Sequence, residues 1–162
     1  MLHNKEIMKL IPYEKFQIDT GLSSAELVQR ISSITGENKF FNFSPSHEFS
    51  GQVTENEFEI VKNISYRNSF LPIIEGKIEP KSTGALVTIS MRLHLLVMCF
   101  MSVWFSGVGI GCLLVMSKMH EFSWPMLIPF GMLFFGVVLV SGGFWFEASK
   151  QKRRLIELLS NN

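Results

Sequence analysis

The residues of this 162-residue chain that could support catalysis or hold a metal are few: four histidines, two cysteines and some acidic pairs. His3, His47, His94 and His120 form no spaced cluster with cysteine or carboxylate, so the pattern offers no metal site. His94 and His120 stand at opposite ends of an apolar run, roughly 39 Å apart if helical. They cannot share one haem iron within a subunit. Cys99 and Cys112 lie in the same run, roughly 20 Å apart at a helical rise, too far for a disulfide within one helix. They read as small apolar packing residues.

Glu57, Glu59, Glu75 and Glu79 could pair across strands, but alternating charges on a sheet mark its solvated face. Gly107-Val-Gly-Ile-Gly111 lacks the strand, turn and downstream acid of a dinucleotide site and reads as helix packing. No Gly-x-Ser-x-Gly elbow occurs, and no serine has a recognisable base and orienting acid. The expectation is therefore no catalytic, cofactor-binding or metal residue. A formal net charge of +1 gives no reason to expect nucleic acid. Asn42-Phe-Ser and Asn63-Ile-Ser match glycosylation acceptors formally, which matters only in an exported chain.

The elements that must position these residues divide the chain into two solvents. Residues 1–92 carry charge throughout and read as a soluble α+β domain. Residues 93–146 read as a transmembrane helical hairpin, with spans at about 93–116 and 125–146. Residues 147–162 form a basic amphipathic helix, and its mostly apolar side needs cover. That cover is either the bilayer, where the basic cluster meets anionic lipid, or the α+β domain; the second is preferred. The hairpin would then be an insertion within one domain.

In the soluble part, Phe16–Asp19 reads as a short strand. A helix follows over about Ser24–Thr35, with Ser23 as N-cap, Glu26 closing a capping box and Leu22 stapling onto Leu27. Leu27, Val28, Ile31 and Ile34 form its apolar stripe, and Gly36 suits a left-handed helix end. The aromatic segment Glu37–Ser46 is irregular. From His47 the period changes to two, and four strands follow: one through Phe49, Gly51 and Val53, one through Phe58, Ile60 and Ile64, one from Leu71 to Ile78, and one from Val87 to Leu93. They predict an antiparallel meander covered on one face by the helix.

Within the spans, Ser102, Ser106, Gly107 and Gly111 on the first, and Gly131, Gly136 and Ser141 on the second, are the small residues expected to let the helices approach closely. Pro125 suits a first helical position, while Pro129 predicts a mild bend. Trp124 and Trp145 suit interfacial positions; Trp104 faces lipid or the partner helix. Neither span carries a charge at mid-depth, which argues against an ion path.

The start of the chain has no continuous apolar core of a secretory signal, so the α+β domain is expected not to be exported. Lys118 and Glu121 offset one another in the connection, whereas Arg92 precedes the first span and Lys150, Lys152, Arg153 and Arg154 follow the second. The positive-inside rule puts both termini in the cytoplasm and the connecting loop outside, with Arg92 and the four basic tail residues as topology determinants or lipid-headgroup contacts. Arg67, Asn68 and Phe70, in the turn before Pro72, are the candidate partner-binding residues.

The chain has the general look of small two-span bacterial membrane proteins, without a motif that names a family. It reads as a non-enzymatic protein of the inner membrane. Its expected partners are the bilayer and either a protein or a second copy of itself, for example as an accessory subunit or as protection against a toxin. The alternative is a membrane-tethered small-ligand or lipid-handling domain with a cavity between sheet and helices.

Overall fold

A computed structural model describes residues 11–37, 47–117 and 123–160. The fold is mixed α+β: a six-stranded sheet and three helices, two of them long and apolar enough to cross a membrane. The strands are β1 (Tyr13–Thr20), β2 (Thr35–Glu37), β3 (Phe49–Val53), β4 (Glu57–Lys62), β5 (Ile73–Pro80) and β6 (Ala85–Arg92). Their order across the sheet is β1-β6-β5-β4-β3-β2.

The antiparallel meander β3–β6 forms where the alternation of apolar residues places it, and the sheet extends beyond it on both sides. β1 is eight residues long and pairs antiparallel with β6, from Tyr13 opposite Arg92 to Thr20 opposite Ala85. Its alternation of exposed and covered residues runs the whole length, twice the stretch expected from Phe16–Asp19. β2 pairs parallel with β3. This overturns the left-handed helix end expected at Gly36. The first helix, α1 (Ser24–Ile34), ends at Thr35 in extended backbone (φ −108°, ψ 121°), and the chain passes directly into β2. Strand pairing with Phe49–Gly51 then takes up Gly36 and its neighbours.

The start of α1 is the capping box read from the sequence: the Glu26 N–H donates to Ser23 Oγ at 3.3 Å, and the Ser23 N–H donates to Glu26 Oε2 at 2.8 Å. Because β1 and β2 lie at opposite edges, α1 must cross the inner face of the sheet, and it buries Leu27 and Ile31 there. Aromatic residues Phe40, Phe41 and Phe43 fall outside the described residues, as do Lys118, His120 and Glu121.

β6 leads through Leu93 and His94 into α2 (Leu95–Ser117), whose 23 residues would span roughly 34 Å at 1.5 Å per residue. The chain returns through a 3-10 turn (Trp124–Leu127) into α3 (Ile128–Ser160), a single helix of 33 residues. Pro125 lies in the turn's first residues, and Pro129 is the second residue of α3. There its missing N–H has no helical partner to lose, so the expected bend becomes a change from 3-10 to α geometry ahead of it.

α3 does not stop at the end of its apolar run. Its last turns lie on the inner face of the sheet, where Ala148, Leu155 and Leu159 are fully buried with Ile18, Val87, Ile89 and Met91. Arg30 of α1 donates to the Leu158 carbonyl at 3.2 Å, tying the two covering helices together. Burying each such leucine contributes about 1.5–3 kcal/mol. The core therefore joins residues separated in sequence by the whole apolar hairpin.

Candidate functional site

Two surfaces concentrate polar groups. The first is the outer face of the sheet. Alternation sends Phe58, Ile60, Ile74, Ile78, Val87 and Ile89 inward, so their neighbours Glu57, Glu59, Glu75, Lys77, Thr88 and Ser90 point the other way. With Tyr13, Lys15, Gln52 and Thr54 they line a shallow groove of about 500 Å³. At one end Arg92 is paired with Glu75 at 2.5 Å and lies 3.6 Å from Glu59. The hydrogen bond that Arg92 donates to Glu75 raises the Arg92 pKa above its usual range. Glu59 and Glu75 are directly opposed across β4 and β5, as cross-strand pairing predicts, and Arg92 offsets their repulsion.

The second surface is a cleft where β4, the loop after it and α3 meet. Glu48, Lys62, Ile64 and Tyr66 form one wall, and Glu147, Lys150, Gln151 and Arg154 form the other, around a cavity of about 320 Å³. Glu48 accepts from Lys62 at 2.5 Å and from Arg154 Nε and Nη2, each at 3.0 Å. The Arg154 hydrogen bonds hold its carboxyl below the usual range, more strongly than partial burial raises it. On the far side the Tyr66 hydroxyl donates to Glu147, which is 2% exposed, and Lys150 lies 3.8 Å from the same carboxylate. That hydrogen bond raises the Tyr66 pKa, because ionising the phenol would oppose two anions. Gln151 is 3% exposed and lines the same cavity.

The basic tail residues are divided by this arrangement. Lys152 pairs with Glu14 and lies 4.7 Å above the Phe16 ring, so it fastens α3 to β1. Arg154 fastens α3 to Glu48. Lys150 lies 3.7 Å over the Phe146 ring at the end of the apolar run, and Arg153 is exposed. Arg92 is engaged on the outer face, away from this cluster.

Among the residues read as a partner-binding turn, Arg67 is exposed, but the other two have internal work. The Asn68 side-chain oxygen accepts from the Phe70 N–H at 2.9 Å, and the Phe70 ring packs over Gly143, where an added Cβ would come within 2.9 Å of it. The loop is thus a clasp on α3, held by Phe70 at Gly143 and by Tyr66 at Glu147. Their spacing of one turn on α3 was the signal for this, but it required knowing which strand loop faced that helix.

The small residues expected between the hairpin helices separate likewise. Gly136 is buried beneath Trp104 and Phe105, whose rings would come within 2.3 Å and 3.1 Å of an added Cβ. Gly111 meets only Pro129, at 3.8 Å, and Gly107 and Gly131 meet nothing within 4 Å. Ser102 and Ser106 are exposed and donate back to the carbonyls of Met98 and Ser102 along their own helix. Ser141 is half-buried. The contact is therefore one glycine receiving one indole, not a small-residue stripe. Gly107 takes no part in that contact.

Among the described residues no three of His, Cys, Asp and Glu gather closely enough to hold a metal. No protein-family model, curated protein or solved structure matches the chain.

Proposed function

We propose that this protein is a membrane-held docking subunit: α2 and the first half of α3 cross the bilayer, the sheet domain lies against its cytoplasmic side, and the outer face of the sheet receives a protein partner. The observation that carries the reading is the unequal treatment of the two faces. The inner face is covered by α1 and the end of α3, whereas the outer face presents a broad polar groove on a domain fixed rigidly to the apolar helices.

Continuity of α3 supports a platform in place of a tether, since no linker intervenes between apolar run and core. Glu57, Glu59 and Glu75 alternate with Lys15 and Lys77 around the groove and Arg92 stands at its end, which favours a partner segment of mixed charge. Arg92, Lys150, Lys152, Arg153 and Arg154 all lie at the ends of the apolar helices that enter the sheet domain, as the positive-inside rule requires of the cytoplasmic side.

Site-specific photo-crosslinking in intact cells tests the reading. A crosslinker at Thr88 is expected to give a discrete protein adduct that a Glu57→Lys, Glu59→Lys double variant abolishes. Equal adducts from Thr88 and from the lipid-directed Phe134 would overturn it, as would labelling of a cysteine at Thr88 only from the external side.

A further inference from the structure

The cleft between β4, its following loop and α3 contains more polar groups than its own ion pairs use. Glu48 is satisfied by Lys62 and Arg154, and Glu147 receives the Tyr66 hydroxyl and the more distant Lys150. Three cations and two carboxylates leave one positive charge around the cavity. Gln151, a residue only 3% exposed, adds an amide side chain to the cavity wall. An amide in a cavity wall can donate to one acceptor of an entering group while the neighbouring cations meet its charge.

The position of the cleft narrows the choice of that group. Lys150 is one helical turn beyond Phe146, which is 62% exposed at the end of the apolar run, and the ammonium caps that ring at 3.7 Å. The cavity of about 320 Å³ lies at the small end of ligand sites. It has room for a headgroup but not for acyl chains, which would continue along the exposed apolar flank of α3.

We propose that this cleft binds the phosphate of a lipid headgroup, with Lys150 and the unshared N–H groups of Arg154 meeting the phosphate oxygens and the Gln151 amide donating to one of them. Lys62 holds Glu48 so that the carboxylate does not repel the anion. The proposal rests on the reading that the apolar helices lie in the bilayer, because only then does the cleft open at headgroup level. Lipid would thereby wedge the α3 junction and stiffen the sheet domain against the membrane.

The full-length protein, delipidated in mild detergent, would be titrated with phosphatidylglycerol, phosphatidylethanolamine, phosphatidylcholine and, separately, inorganic phosphate, and bound species counted by native mass spectrometry. One phospholipid should be retained, with affinity falling roughly ten-fold in Lys150→Ala and in Gln151→Glu, which keeps the amide's shape but repels an anion. Lys77→Ala, on the outer face, should bind as the parent chain does. Melting temperatures of the same samples identify any variant that has unfolded, and for such a variant Gln151→Leu, which removes the amide without adding charge, is substituted.

Retention unaffected by Lys150→Ala and Gln151→Glu would overturn the site. Displacement of the lipid by millimolar inorganic phosphate, with the same variant pattern, would overturn the lipid source while keeping the phosphate chemistry. Extraction of the chain from membranes by alkaline carbonate would instead sink the bilayer reading itself, and with it the position argument made here.

Discussion

Phe134 and Leu155 belong to one unbroken helix, about six turns apart, yet Phe134 is 73% exposed and Leu155 is completely buried. In the first half of α3 large apolar residues point outward on nearly every side: Phe130, Phe134, Phe135, Val138 and Phe146 are exposed, while Gly136 and Val140 face α2 or the sheet domain. In the second half the arrangement reverses, with Ala148, Leu155 and Leu159 buried and charged residues between them. The same amino-acid types are therefore exposed in one half and covered in the other. A helix that is apolar all round suits lipid, whereas one with a single apolar stripe suits a protein face. The boundary falls at Phe146–Glu147, where a buried carboxylate is held by Tyr66.

The sharpest way to break this comparison is truncation in each half. Leu155→Ala should destabilise the sheet domain by about 2–5 kcal/mol, measured as chemical unfolding of the full chain in detergent. Phe134→Ala should change the same transition by no more than about 0.5 kcal/mol. Similar losses from both substitutions would mean that the two halves do not have different surroundings.

The next contrast lies within the apolar half. Gly136→Ala pushes a methyl group into the Trp104 and Phe105 rings and should cost about 1–3 kcal/mol in resistance of the hairpin to thermal unfolding. Gly107→Ala meets open space and should be neutral or gain up to about 1 kcal/mol of helix propensity. If Gly107→Ala were the more damaging, α2 would be packing through its glycine-rich face against another molecule.

The difference between those glycines shows where sequence reasoning reaches its limit. The capping box at Ser23 and Glu26, the alternation in β3 to β6 and the two long apolar runs depend on neighbours within a few residues, so each was legible locally. β1 and β2 were not, because edge strands are defined by a partner far away in the chain; β2 is only three residues long and pairs parallel. Helical periodicity likewise shows that Leu155 and Leu159 share a side but not whether a sheet or a bilayer covers it. For the cleft, Lys62, Tyr66 and Gln151 come from separate elements, and none carries a motif. Only the return of α3 onto the sheet assembles them.

A smaller effect probes the boundary between the halves. Tyr66→Phe removes the hydroxyl that donates to Glu147 and should cost about 1–2 kcal/mol, partly relieved by Lys150 and by water entering beside the half-exposed ring. Hydrogen exchange should rise in the loop after β4 and around Glu147, while the core of β6 stays protected. Uniform loss of protection would show that Tyr66 supports the whole domain and not the junction.

The smallest expected effect depends on pH and belongs to the buried half alone. Arg154 on α3, and then Lys62 on β4, hold the Glu48 carboxyl below its ordinary value of 4.5. A carboxylate whose folded pKa is depressed stabilises the fold above the ordinary value, and that stabilisation is lost as pH falls through the folded value. Glu48→Gln should therefore lower stability by no more than about 1 kcal/mol near neutral pH, since the pair is partly solvated. The gap between parent and variant should close as pH falls through the depressed folded value, because position 48 is then uncharged in both chains. High salt should narrow it as well, because ions screen a pair that remains partly open to water. A gap that is constant across pH would assign the cost of Glu48→Gln to shape instead of charge. In that case the buried half of α3 would be held by its leucines alone, and its basic residues would be free to act on the membrane.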